Sequence, residues 1–270
     1  MSDATAASPA GSDTPLVEMA NVSLAFDEKV ILRDVNLTVA RGERLVIMGQ
    51  SGSGKSTTLR LILGILRPTG GAVKFNGREI NRMDRVKLNR MRTRIGMVYQ
   101  YSALISSLNV RDNLALPLEE LTRKSREEID ALVAEKLGLV GMEDTQDYLP
   151  SELSGGMRKR ISLARALMLD PELILFDEPS AGLDPVISSV IDELIIGLTE
   201  KTGATSIIVT HEMESAFRVA TRMAMLYQGK IIQEDKPERF RRSPNEVVAQ
   251  FVSGSTEGPI LETGSLQKSK

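Results

Sequence analysis

Several things are missing from this 270-residue chain, and each absence removes a class of function. It has no cysteine and no tryptophan. Without cysteine there is no disulfide, no thiolate-held zinc and no thiol chemistry, a composition that fits the cytosol. No apolar run approaches the roughly 18–20 residues needed to cross a bilayer, so a membrane would be met through partners. Met1 to Thr14 is Ser-, Ala-, Asp- and Gly-rich and lacks the charged-then-apolar order of a targeting signal, which reads as a flexible lead-in. No sign of charge dominates: 34 Lys and Arg stand against 36 Asp and Glu, interspersed, with a formal net charge of −2. No broad basic face for nucleic acid is implied. What remains, 41% apolar and 26% charged residues, is the composition of a globular protein with a well-buried core.

Strand-like runs alternate with helical patterns: Leu16 to Met19, Arg44 to Met48, Ala72 to Phe75, Gly96 to Val98, Leu173 to Phe176 and Ser206 to Thr210. Several are continuously apolar, as parallel strands covered on both faces are. The expectation is an α/β core with phosphate chemistry at the carboxyl ends of its strands. Asn76-Gly77 is a turn signal and suggests an antiparallel β-portion beside the parallel sheet. From about 101 to 163 the character changes. Ala115-Leu116-Pro117-Leu118 leads into a charged helical stretch, Glu119 to Lys136, which reads as a helical subdomain inserted between two halves of the core. The boundaries drawn are 1–14 for the lead-in, 15–253 for the folded domain and 254–270 for a polar tail.

Chemistry concentrates at four places. Gly49-Gln50-Ser51-Gly52-Ser53-Gly54-Lys55-Ser56 is a full phosphate-loop match, placed between an apolar strand and a helix from about Lys55 to Leu66; these residues and Thr57 are the nucleotide-binding candidates. Its glycines let backbone N–H groups turn inward, Lys55 is suited to the β- and γ-phosphates, and Ser56 to Mg²⁺. Asp177 closes the buried strand Leu173 to Phe176, and Glu178 follows it. Consecutive side chains diverge at a strand end, so one carboxylate can hold the metal while the next faces an attacking water. His211, the only histidine, ends the run Ser206 to Thr210; alone, such a residue is more often structural than catalytic. Finally, Leu153-Ser154-Gly155-Gly156-Met157 pairs a good N-cap, Ser154, with Gly155 and Gly156 at a helix start, a second anion site. The sequence gives no reason for one nucleotide to need two such sites on one chain.

These elements, in this order, resemble the ATP-binding-cassette (ABC) ATPases from about Val17 to Ile260. The resemblance implies a P-loop NTPase core with an antiparallel β-subdomain and an inserted helical subdomain. It implies ATP and Mg²⁺ as ligands, Glu178 as general base or water-positioning group, and His211 as the switch residue that contacts the γ-phosphate. Gln100 then links core to helical lobe and reaches metal or water, Phe26 stacks on adenine, and Asp184 in Ala181-Gly182-Leu183-Asp184 belongs to a loop that crosses a dimer interface. Ser154, Gly155 and Gly156 would complete the nucleotide site of the opposite subunit in a homodimer. Met157 departs from the glutamine usual there.

That departure, in Pro150-Ser151-Glu152-Leu153-Ser154-Gly155-Gly156-Met157-Arg158-Lys159-Arg160, is similar to the ATPases of Mla/Mce-type phospholipid transport systems. Tyr101 to Leu108, Gln250 to Gly254 and Gly258-Pro259-Ile260 agree with it. The resemblance implies a peripheral ATPase on the cytoplasmic face of a bacterial inner membrane, driving phospholipid transport. Its partners would be an integral permease, an Mce-domain lipid-binding protein and a small accessory cytoplasmic subunit. Another transporter's ATPase (lipoprotein or nutrient) or a non-transport regulatory ATPase are the competing expectations.

Overall fold

The computed structural model describes residues 14–261. The lead-in expected at 1–14 and the end of the expected tail therefore lie almost wholly outside the described residues.

The chain opens with β1 (Val17–Phe26) and β2 (Lys29–Val39), an antiparallel pair. β3 (Arg44–Met48) leads through the phosphate loop into α1 (Lys55–Ile62). β4 (Gly70–Phe75) and β5 (Arg78–Glu79) turn at Asn76-Gly77, both with positive φ, as the turn signal required. They complete a four-stranded antiparallel sheet in the order β2-β1-β4-β5. α2 (Arg85–Arg92), β6 (Ile95–Val98), α3 (Val110–Leu121), α4 (Arg126–Leu139) and α5 (Gly155–Ala166) follow. The core resumes with β7 (Leu173–Asp177), α6 (Pro185–Thr202), β8 (Thr205–Thr210), α7 (Met213–Val219), β9 (Arg222–Tyr227) and β10 (Lys230–Asp235), then α8 (Pro237–Phe240) and α9 (Glu246–Ser253). The second sheet runs β10-β9-β3-β8-β7-β6, parallel except for β10.

Alternate residues of the central strands enter two separate cores. Val46, Met48, Ile174, Phe176 and Ile208 pack with the helical lobe; Leu45, Ile47, Leu173, Leu175 and Ile207 pack with α1 and the antiparallel sheet. Burial on both faces explains why these strands read as unbroken apolar runs. The chemistry-bearing turns after β3, β6, β7 and β8 consequently share one edge of the sheet.

One expectation changes in the helical lobe: the stretch expected to be helical from Glu119 to Lys136 is broken between α3, which ends at Leu121, and α4, which starts at Arg126. The helix preceding α4 begins at Val110, capped by Asn109, and carries Pro117 inside it. Proline there leaves the carbonyl of Asn113 without its helical donor, yet Val110, Leu114, Ala115 and Leu118 are buried in the first core, and that packing outweighs the lost bond. α4 begins with a capping box between Ser125 and Glu128.

Candidate nucleotide site

β3 delivers the chain to Gly49, where a Cβ would come within 2.2 Å of the Leu226 carbonyl oxygen, so only glycine fits. At Gly54, with φ 107°, a Cβ would meet Leu32 at 2.8 Å just before α1 begins. The loop thereby turns tightly into the N-terminus of α1, a helix start suited to an anion. Lys55 is buried, and its Nζ donates to the carbonyls of Gly49 (2.8 Å) and Gln50 (3.1 Å). Burial lowers its pKa, opposed by the charges of Glu178 and Asp177. Ser53 Oγ is buried without a hydrogen-bond partner among the described residues. An orphaned hydroxyl and a buried cation whose hydrogen bonds go to two loop carbonyls are what a phosphate group would satisfy.

Ser56 Oγ donates to Asp177 Oδ1 at 2.8 Å. Burial pushes the Asp177 carboxyl up, and the Ser56 hydroxyl only partly offsets this. A buried carboxylate of this kind gains from a cation. No group of three or more His, Cys, Asp or Glu among the described residues could hold a metal alone. Magnesium, which takes one or two protein oxygens and completes its shell with phosphate and water, fits the Ser56–Asp177 pair.

Glu178 diverges from Asp177 as its place at a strand end requires. Its backbone is left-handed (φ 50°), and its N–H donates to Val209 O at 2.9 Å. Its Oε2 lies 2.9 Å from His211 Nδ1 and accepts the His211 backbone N–H at 3.2 Å. Its Oε1 lies 3.8 Å from Lys55 Nζ. Glu178, His211, Lys55, Ser56 and Gln100 all line one cleft of about 1180 Å³, together with Gln50, Ser51, Gly52, Gly54 and Thr57. A carboxylate within bonding reach of an imidazole, beside a lysine and a metal-suited pair, can orient a water toward a phosphoryl group.

Other expected residues stand elsewhere. Ser154 caps α5 by accepting the Met157 N–H, while Asp184 caps α6 by accepting from Val186 and Ile187. Gly156 packs so closely on the start of α6 that a Cβ would meet Ile187 at 2.8 Å. Ser154, Gly155, Gly156 and Asp184 thus form a second constellation that contributes nothing to the walls of the cleft. Met157 packs against the helical-lobe core. Phe26 ends β1 half-exposed and is not part of the cleft wall; Lys29 and Ile31 of β2 are.

The cleft has a wall that the sequence reading left out. Gln250 and Phe251 of α9, with Gly254, Ser255, Thr256 and Ile260, close one side. Gln250 Oε1 accepts the Ile260 N–H at 2.8 Å, and its Nε2 donates to Ser255 O at 3.2 Å. The start of the expected tail, 254–261, is thereby folded back onto α9. In the sequence, Gln250 to Gly254 and Gly258-Pro259-Ile260 stand out only for their family resemblance, and no local signal places them at the cleft.

The profile of the ABC transporter family matches residues 32–181. The "Probable ribonucleotide transport ATP-binding protein mkl" of Mycobacterium tuberculosis is 41% identical over 90% of this chain and 68% of its own length. The "Intermembrane phospholipid transport system ATP-binding protein MlaF" of Escherichia coli is 39% identical over 91% of each chain. Among solved structures, a dimeric ABC transporter cassette, MJ0796, is 35% identical with a TM-score of 0.76, covering 82% of this chain and 98% of that one.

Proposed function

This chain belongs to the ABC transporter family as an ATP-binding, ATP-hydrolysing subunit, and we propose that it drives phospholipid transport between the inner and outer membranes of a bacterium. The observation that carries the lipid reading is the likeness to MlaF, which extends over 91% of both chains. The mkl relative, named for ribonucleotide transport, is matched over 68% of its length. Met157, with its apolar packing, is in keeping with the Mla/Mce-type signature.

In this reading the phosphate loop and the N-terminus of α1 bind the triphosphate, and Lys55 turns from its two loop carbonyls to the β- and γ-phosphates. Ser56 and Asp177, with Gln100, hold Mg²⁺, which when bound neutralises charge on the transferred phosphoryl group. Glu178 orients the attacking water and accepts its proton, while His211 anchors Glu178 and faces the γ-phosphate. Ser154, Gly155, Gly156 and Asp184 lie outside their own chain's cleft, which supports their serving a second copy. Two chains would then enclose two nucleotides, as the dimeric cassette relatives suggest. Closure moves the helical lobes, and the permease follows. No helix among the described residues is long and apolar enough to cross a membrane; in this reading an integral permease is a separate partner. An Mce-domain protein and a small accessory subunit complete the proposed assembly at the cytoplasmic face of the inner membrane.

The test is to tag the protein in its native cell, solubilise the membranes gently and identify what co-purifies. A multi-span permease with an Mce-domain protein and bound phospholipid is the expected result. A different permease without lipid would leave the ATPase and discard the lipid reading.

A further inference from the structure

One face of α5 grips backbone in two catalytic turns of its own chain. Residues 159, 162 and 165 are spaced by three and share a face. Lys159 Nζ donates to the carbonyl of Gln100 at 2.5 Å and to the carbonyl of Glu178 at 3.3 Å. Ser162 Oγ donates to Ser102 O at 3.0 Å; Arg165 reaches Ser102 O at 3.0 Å and Ala103 O at 2.7 Å. The backbone held in this way is strained. Ser102 (φ 61°), Ala103 (φ 49°) and Glu178 (φ 50°) are all left-handed without being glycine, a conformation that persists only where the surroundings enforce it.

Lys159 is the member that touches both turns. It is 6% exposed, and no carboxylate oxygen lies within ion-pairing distance of it among the described residues. A buried ammonium satisfied by carbonyls is costly to keep. Burial accordingly lowers its pKa, opposed by the more distant charges of Glu212, Glu178 and Asp177. A methionine would fill the same space in a core without that cost. The position is therefore poor for stability and well placed for something else.

We propose that Lys159 is a positioning residue for hydrolysis: its ammonium ties the Gln100 turn to the Glu178 turn, so that the helical lobe sets the glutamine and the glutamate in register together. It acts through the two backbone carbonyls it holds. The backbone of Glu178 is fixed by Lys159 from one side and by Val209 O from the other, which leaves the carboxylate free to meet His211. The inference rests on the reading of Glu178 as the water-orienting group.

The test uses the full chain with Mg-ATP and compares Lys159→Met with the native protein in turnover, KM and thermal stability. The expected result is a kcat lowered about 10- to 100-fold, the scale of a misplaced catalytic group, with KM within about twofold and Tm unchanged or raised. Unchanged turnover, or a loss that tracks a fallen Tm, overturns the proposal. Should the methionine variant not fold, Lys159→Gln, which keeps a polar N–H group on a shorter, uncharged side chain, is read by the same criteria. A second arm places Lys159→Met in a Glu178→Gln background. Residual turnover there should fall no further, since both changes disable one step; multiplicative losses would assign Lys159 to general structure. Normal turnover by Glu178→Gln alone would instead sink the reading of Glu178.

Discussion

His211 grips a single oxygen of Glu178 twice, through Nδ1 at 2.9 Å and through its backbone N–H at 3.2 Å. The backbone bond survives replacement by alanine, whereas the ring contact does not. His211→Ala should therefore fold and bind ATP with little change while turnover falls about 10²-fold, the range for losing one acid–base partner. Steady-state ATPase assays beside nucleotide-binding titration separate the two effects. Turnover at the native level would return His211 to a structural role.

Glu178→Gln keeps the shape of the side chain and its acceptor for the His211 N–H, but removes the charge that takes a proton from water. ATP affinity should hold, hydrolysis should fall by at least about 10²-fold, and ATP should accumulate a closed dimer visible by size-exclusion chromatography. A variant that remained monomeric in ATP would speak against the composite site, even with hydrolysis lost.

The parts of this site that are local in sequence could be read from it, and the parts made by tertiary contact could not. Lys55, Ser56, Asp177, Glu178 and His211 sit at the ends of apolar strands, and the parallel register of β3, β7 and β8 brings those ends together. Gly49 and Gly54 announce themselves because no other residue fits their backbone. β9, by contrast, was absent from the strand-like runs although its Met223, Ala224, Met225 and Leu226 are fully buried; its methionines and alanine suit a helix as well as a strand. The helical stretch expected from Glu119 to Lys136 is two helices, and α3 starts ahead of Pro117, at Val110, because the packing of Val110, Leu114 and Leu118 outweighs the bond the proline removes. Lys159 carries no local signal at all. A lysine in a charged helix reads as solvated until α5 is docked on the Gln100 turn.

The adenine end of the cleft offers a sharper contest. The family resemblance assigns Phe26 to stacking, yet Phe26 is half-exposed while Ile31 stands in the cleft wall. An exposed aromatic contributes little to folding, so Phe26→Ala should leave Tm within a degree or two. If Phe26 swings onto the base, ATP affinity should fall about 5- to 150-fold, since an aromatic stack contributes roughly 1–3 kcal/mol per base. Unaltered affinity for Phe26→Ala, with weakened binding for Ile31→Ala, would move the adenine contact to β2.

Stability has its own test, at the junction of the two sheets. Glu172, just before β7, accepts from Arg41 at 3.2 Å and Asn76 at 3.3 Å and pairs closely with Arg94. Arg41 lies between β2 and β3, and Asn76 between β4 and β5, so this one carboxylate fastens the antiparallel sheet to the parallel one. Partial burial would raise its pKa, but the hydrogen bonds from Arg94, Asn76 and Arg41 outweigh this and hold the carboxyl below its ordinary value. The folded chain then binds this proton less tightly than the unfolded chain. The stabilisation is present above the unfolded pKa and is lost as pH falls through the lower, folded one. With the side chain about one-third open to solvent, screening limits the contribution to about 1 kcal/mol. Glu172→Gln should lower Tm by roughly 2–4 °C at pH 7, and the gap to the native protein should narrow as pH drops below about 4. Thermal scans of both proteins across that window decide it: a gap that stays constant into acid would mean that neutral packing, and not the charge of Glu172, joins the sheets.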